Sequence, residues 1–174
     1  MNNKINNRII YYYQTLIGLK DIINNKIKPT HIILSAFHFG LDSSNNPYIH
    51  LNNYKPDNDM YNTLWVELET LSKMGVTIMI MLGGAGGAYG EMFNNYELYY
   101  NKLYKFLKSK PFIKGIDLDV EEFVTLDDIK MLIRQIDTDF GKDYIITMAP
   151  VAGALTYDYP GLGGFVYKQL YLTE

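Results

Sequence analysis

Apolar and acidic residues alternate strictly through one stretch of this chain: Ile116, Asp117, Leu118, Asp119, Val120, Glu121, inside the segment PFIKGIDLDVEEF (111–123). Alternation at every second position predicts a β-strand. It also puts Asp117, Asp119 and Glu121 on one face and apolar residues on the other. Five more segments read as strands. RIIYYY (8–13) is rich in β-formers. HIILSAFHF (31–39) and VTIMIML (76–82) are nearly continuous apolar runs, the mark of strands covered on both faces. DYIITMAP (143–150) is a fifth strand and FVYKQLY (165–171) a sixth.

Between these segments the apolar period becomes helical. Residues 61–74 place Leu64, Trp65, Leu68, Leu71 and Ser72 on one stripe, and 96–107 repeat Leu98, Tyr99, Leu103, Tyr104, Phe106 and Leu107. Thr125 with Asp128 reads as a capping box that opens a helix running through Ile136. Residues 40–59 have no clean period and read as a long loop. Strands alternating with helices predict a parallel sheet with crossover connections. An open doubly wound sheet and a (β/α) barrel both fit. Three acids on one strand face are a poor surface to bury under helices and a natural one to point into a barrel mouth, and no phosphate loop follows the first strand. The expected fold class is therefore α/β, a (β/α)8 TIM-barrel type that is incomplete, with about six βα units in one domain over residues 1–174.

Composition narrows the function. At 174 residues and 48% apolar, the chain can build one real core but not two. A net charge of −3 argues against a polyanion such as nucleic acid as partner. With no cysteine there is no disulfide and no thiolate metal site. No run reaches the ~18 apolar residues of a membrane span, and MNNKINNRIIYYYQTL shows no signal-peptide core, so no membrane partner is expected.

The acidic face has three readings. A solvated edge strand leaves Ile116, Leu118 and Val120 without cover. A divalent-cation site usually recruits ligands from several segments. Acid–base chemistry fits best: carboxylates crowded on one face raise the pKa of at least one of them. Glu121 comes last, at the carboxyl end of its strand, where barrel active sites sit, and is the candidate proton donor.

The segment KGIDLDVE (114–121) resembles the D-G-x-D-x-D-x-E signature of family 18 glycoside hydrolases, the chitinases and chitinase-like proteins, with Lys114 in place of the first acid. The resemblance implies that Glu121 is the general acid and that Asp119 orients the substrate's N-acetyl group, whose carbonyl oxygen attacks the anomeric carbon. It implies that Asp117 supports Asp119. MLGGAGG (81–87) looks like the family's S-x-G-G without the serine, making Gly83 and Gly84 candidate substrate-binding residues where backbone approaches sugar closely. No Lys follows these glycines, so they do not form a phosphate loop. YKQLY (167–171) looks like the Gln-x-Tyr of plant-type members, implying that Gln169 binds substrate and Tyr171 grips the acetamido oxygen. RIIYYYQT, THIILSAFHFG and TMAPV resemble the first, second and fifth strands, and Tyr11 and Phe37 on the first two are further substrate-binding candidates.

The implied function is substrate-assisted, retaining hydrolysis of β-1,4-N-acetylglucosamine linkages in chitin or a related glycan. The intact Glu121 favours it. A non-catalytic glycan-binding lectin or inactive remnant on the same scaffold is the alternative, favoured by Lys114 and by strands too few to close a barrel. The implied partner is an N-acetylglucosamine polysaccharide or oligosaccharide, with no cofactor and no metal. His31, His38 and His50 have no ligand spacing and read as hydrogen-bonded core or rim residues; Trp65 reads as core. Open edges at the first and sixth strands are expected to favour self-association.

Overall fold

The computed structural model describes residues 8–25 and 29–173. Residues 1–7, part of the stretch read above for a signal peptide, lie outside them. Five strands run parallel in the order β1 (Ile10–Tyr13), β2 (His31–Leu41), β4 (Thr77–Gly83), β5 (Ile113–Asp119) and β6 (Ile145–Met148), curled as a half-barrel of the TIM type. A short antiparallel strand β3 (Pro47–Leu51) pairs with the outer half of β2. The helices are α1 (Lys20–Asn24), α2 (Asn62–Lys73), α3 (Tyr89–Asn94), α4 (Tyr96–Ser109), α5 (Leu126–Phe140), α6 (Ala152–Thr156) and α7 (Tyr167–Tyr171).

Period-two alternation divides each strand between two cores. Ile78, Ile80 and Leu82 of β4 and Ile116 and Leu118 of β5 are fully buried in the large cluster that includes Leu68 and Leu71 of α2 and Leu103 of α4. The alternate positions, Met79 and Met81, join Ile33, Ala36 and Ile145 in a small cluster inside the curl. Asp117 is on this inner side, as Met79 and Ile145 line a cavity with it. The capping box at the start of α5 is present: Thr125 Oγ1 accepts from Asp128 N–H, and the Asp128 carboxylate accepts from Thr125 N–H. Trp65 is buried, its indole N–H donating to Pro56 O at 2.8 Å.

Two sequence expectations need correction. Residues 165–171 do not form a strand. Tyr167–Tyr171 is helical, burying Tyr167 and Leu170 at i and i+3 and leaving Gln169 and Tyr171 exposed. Among the described residues the parallel sheet has five strands, not six. Residues 40–59 are not all loop, because β2 continues to Leu41 and turns back into β3, with His38 opposite His50 and Gly40 opposite Tyr48.

Candidate active site

The carboxyl ends of β2, β4 and β5 meet around a cleft of about 420 Å³, lined by Tyr12, Ser35, Ala36, His38, Gly83, Gly84, Asp119 and Glu121 among others. Asp117 lies one strand-step deeper and has no exposed surface. Tyr12 Oη donates to Asp117 Oδ2 at 3.0 Å, and the Thr147 hydroxyl donates to Oδ1. These donors come from β1 and β6, on either side of β5, so the curl of the sheet supplies them. Burial, then the Asp117 charge and hydrogen bond, raise the Tyr12 phenol well above its ordinary value.

Asp119 is half-buried at the end of β5, and Glu121 is exposed just past it. The Asp119 carboxyl is pushed up to about 6, first by burial, then by the charges of Glu121 and Asp117. The crowding expected from the alternating acids is thus present, and it falls on the middle acid. Tyr167 is also raised, by burial and by the charges of Asp119 and Asp117.

A stability effect follows. The native state binds the Asp119 proton more tightly than the unfolded chain does, so ionisation costs stability as pH rises from about 4 to about 6, and the cost is full above that. The Asp119→Asn variant is expected to melt about 2–4 °C higher than wild type at pH 7.5, solvent screening keeping the effect modest, with no difference at pH 3.5. Thermal melts at both pH values check this; an equal shift at both would remove the charge explanation.

Gly83 and Gly84 form the floor beside Asp119, and Gly84 N–H donates to Asp119 O at 2.8 Å. Gly83 adopts φ +97°, and a Cβ there would lie 2.6 Å from the Tyr89 ring and against the Asp119 carbonyl. Both a left-handed backbone and a close chain approach therefore require glycine at this position.

The structure brings Asp117, Asp119, Glu121, Gly83 and Gly84 together, but not the other four candidates. Phe37 is fully buried on the helix side, 5.0 Å from the Phe106 ring. Counting by twos from the inward Ile33 puts Phe37 inside, but the register shifts between Leu34 and Phe37, so Ser35 and Ala36 both line cavity and Phe37 turns outward. Tyr11 packs its ring near Tyr13, which belongs to the helix-side core, while its neighbour Tyr12 reaches Asp117. Gln169 and Tyr171 sit on the exposed side of α7. Sequence reasoning missed Tyr12, Thr147 and Tyr167. The first two were legible only as β-strand residues of the right parity, since their contact with Asp117 depends on sheet register. His38, read as a rim residue, is hydrogen-bonded to Gly87 O through Nδ1 at 2.6 Å and lines the cleft. Lys114, the departure from the family signature, is exposed at the opposite end of β5, five residues or about 16 Å from Asp119. Among the described residues no group of three or more His, Cys, Asp or Glu could hold a metal ion, and no helix is long and apolar enough to cross a membrane.

Sequence comparison matches no family model and no curated protein. Structure comparison does find relatives. Over 96% of its length the chain superimposes on a chitinase from Aspergillus fumigatus at TM-score 0.87 and 39% identity, covering 62% of that protein. The chain is related to the glycoside hydrolases of family 18. A fungal endo-β-N-acetylglucosaminidase of family 18 matches over the same 96%, at TM-score 0.84 and 34% identity, again with 62% of its chain covered. A family 18 chitinase from Pseudoalteromonas aurantia, at 18% identity and TM-score 0.63, shares the fold. The chain thus spans about three fifths of the first two family 18 structures.

Proposed function

We propose that this chain carries the reaction centre of a hydrolase for β-1,4-linked N-acetylglucosamine glycans. The observation that carries the proposal is the exposed Glu121 beside an Asp119 that titrates near 6, in a cleft floored by two glycines. Burial and the neighbouring charges let Asp119 keep its proton to a higher pH than an ordinary aspartate, beside Glu121. In the proposed reaction Glu121 donates a proton to the leaving glycosidic oxygen. Asp119 orients the substrate's acetamido group, whose carbonyl oxygen attacks the anomeric carbon and forms a cyclic intermediate, so no protein carboxylate bonds to the sugar. Water then opens the intermediate, and configuration is retained. Asp117, fixed by Tyr12 and Thr147, holds the charge next to Asp119. Tyr167, which feels the charges of both aspartates, is a buried tyrosine close to this chemistry in place of the exposed Tyr171.

The test is incubation of the purified chain with an N-acetylglucosamine oligomer, reading the product anomer by NMR. The expected results are retention of configuration, inhibition by a thiazoline mimic of the cyclic intermediate, and no turnover of oligomers lacking the N-acetyl group. Inversion, or a sugar trapped covalently on any carboxylate, would overturn the mechanism. Binding of the oligomer with no turnover would make the scaffold a lectin.

A further inference from the structure

We propose that Glu122 is a positioning residue that locks the glycine-rich loop 83–90 to the segment bearing Glu121, so that the cleft wall and the proton donor form one rigid unit. The role in catalysis rests on the hydrolase reading; the lock itself does not.

The run GGAGGAYG (83–90) has the composition of an anion cradle, yet it lacks the residues of a phosphate loop. The chain fills the cradle with its own carboxylate. Glu122 Oε1 accepts from Ala88 N–H and from Tyr89 N–H (2.5 Å), and Oε2 accepts from Gly90 N–H at 3.0 Å. Three successive backbone donors converge on one charged acceptor, and bonds to an ionised acceptor are about twice as strong as neutral ones. The glycines make the room. A Cβ on Gly90 would lie 2.9 Å from Oε2, and one on Gly87, where φ is +69°, would lie 3.3 Å from Oε1.

A simple helix cap does not explain this. The residue at the N-cap of α3 is Ala88, which offers no side-chain acceptor. A Ser, Thr, Asp or Asn there would cap locally. Instead the acceptor comes from 34 residues away, next to the candidate proton donor. Its effect is to tie two segments across the cleft. The tie is reinforced on both sides. Gly84 N–H donates to Asp119 O, the His38 ring bonds Gly87 O, and Tyr89 Oη, fully buried, donates to Leu82 O at 2.8 Å. Downstream, Val124 N–H donates to Gly163 O at 3.0 Å. Glu121 therefore hangs between anchors at 119, 122 and 124, while its own side chain is exposed. The direction in which it projects is set by its two neighbours, the buried Val120 on one side and the hydrogen-bonded Glu122 on the other.

The test compares wild type with Glu122→Ala and with Gly90→Ala, which keeps the carboxylate but crowds it. Hydrogen exchange reads the amides of residues 84–90, and turnover of a chromogenic N-acetylglucosamine oligomer gives kcat and KM. Both variants are expected to lose at least about tenfold in protection at residues 88–90, with the α2 and α4 core unchanged. The kcat should fall about 10–100-fold, with KM changing much less, because a displaced donor harms the transition state rather than binding. Sodium formate, which fits the space the carboxylate leaves, should restore part of the protection and of kcat in Glu122→Ala and none in Gly90→Ala. Unchanged protection in Glu122→Ala would overturn the lock, and lost protection with unchanged kcat would overturn the positioning role. If wild type binds the oligomer without turning it over, the hydrolase reading fails separately. The lock is then decided by exchange alone, and unchanged protection at residues 88–90 in Glu122→Ala would overturn it.

Discussion

Replacing Glu121 by Gln is expected to lower hydrolysis of an N-acetylglucosamine oligomer by about 10²–10⁴-fold, the usual share of a general acid. Gln keeps the shape and the exposed position just past β5 and removes only the titrating proton. Three further signatures separate loss of the proton from loss of structure. The melting temperature should stay within about 2 °C of wild type, since an exposed side chain contributes little to stability. The affinity for a thiazoline mimic should be nearly unchanged, because Asp119 and the glycine floor remain. A substrate with a good phenolic leaving group, which needs less protonation, should lose less rate than the natural glycosidic bond. An undiminished rate on the natural linkage would remove Glu121 from the role. A variant that lost its melt and its activity together would show a structural residue instead. Above pH 6 the wild-type rate should decline as the Asp119 carboxyl ionises, and this limb should be absent in Asp119→Asn, where that titrating group is gone.

Much of this site was legible because its key elements are local. The acids alternate within one strand, so parity alone placed Asp117 and Asp119 together on the inner face. Two glycines at a strand end announced close approach, and Gly83 shows both the left-handed backbone and the contact that require it. The capping box at Thr125 is a four-residue pattern and needed no tertiary knowledge. What stayed hidden depends on register. Tyr12 and Asp117 are 105 residues apart, and no single-strand pattern distinguishes Tyr12 from Tyr11 as the partner. Phe37 was misplaced because one irregularity in β2, between Leu34 and Phe37, reverses the parity of everything after it. At 165–171 seven residues are too few to separate period two from period three to four. Tyr167 and Leu170 share the buried face of a short helix, whereas alternation would have grouped Tyr167, Gln169 and Tyr171. The β3 hairpin was missed because its turn residues, Asp42 to Asn46, dominate a polar stretch in which five strand residues are hard to see; Asp42 closes that turn by accepting from the backbone of Ser44 and Asn46.

In solution the chain is expected to associate through its two sheet edges. Among the described residues nothing pairs with the outer edge of β1 or with that of β6. Ile9, Ile10 and Tyr12 are 45–58% exposed, so an apolar surface accompanies the unpaired backbone of β1. Every residue of β6 is only partly buried. Edge strands of this kind template pairing with another chain, and proteins usually blunt them with charge, proline or a covering element. Neither strand carries a charge or a proline. A second copy of this chain offers the same two edges, so pairing can run from one protomer to the next. Light scattering and sedimentation across a hundredfold range of concentration should show mass rising well above the 20.1 kDa of the monomer. Ile10→Lys places a charge on the edge and should weaken association about tenfold to a hundredfold, 1.4 kcal/mol per factor of ten. A wild-type chain that stays monomeric at every concentration would show that these edges are protected in a way the exposed surface does not reveal. Association that Ile10→Lys leaves untouched would move the contact away from β1 and onto another surface.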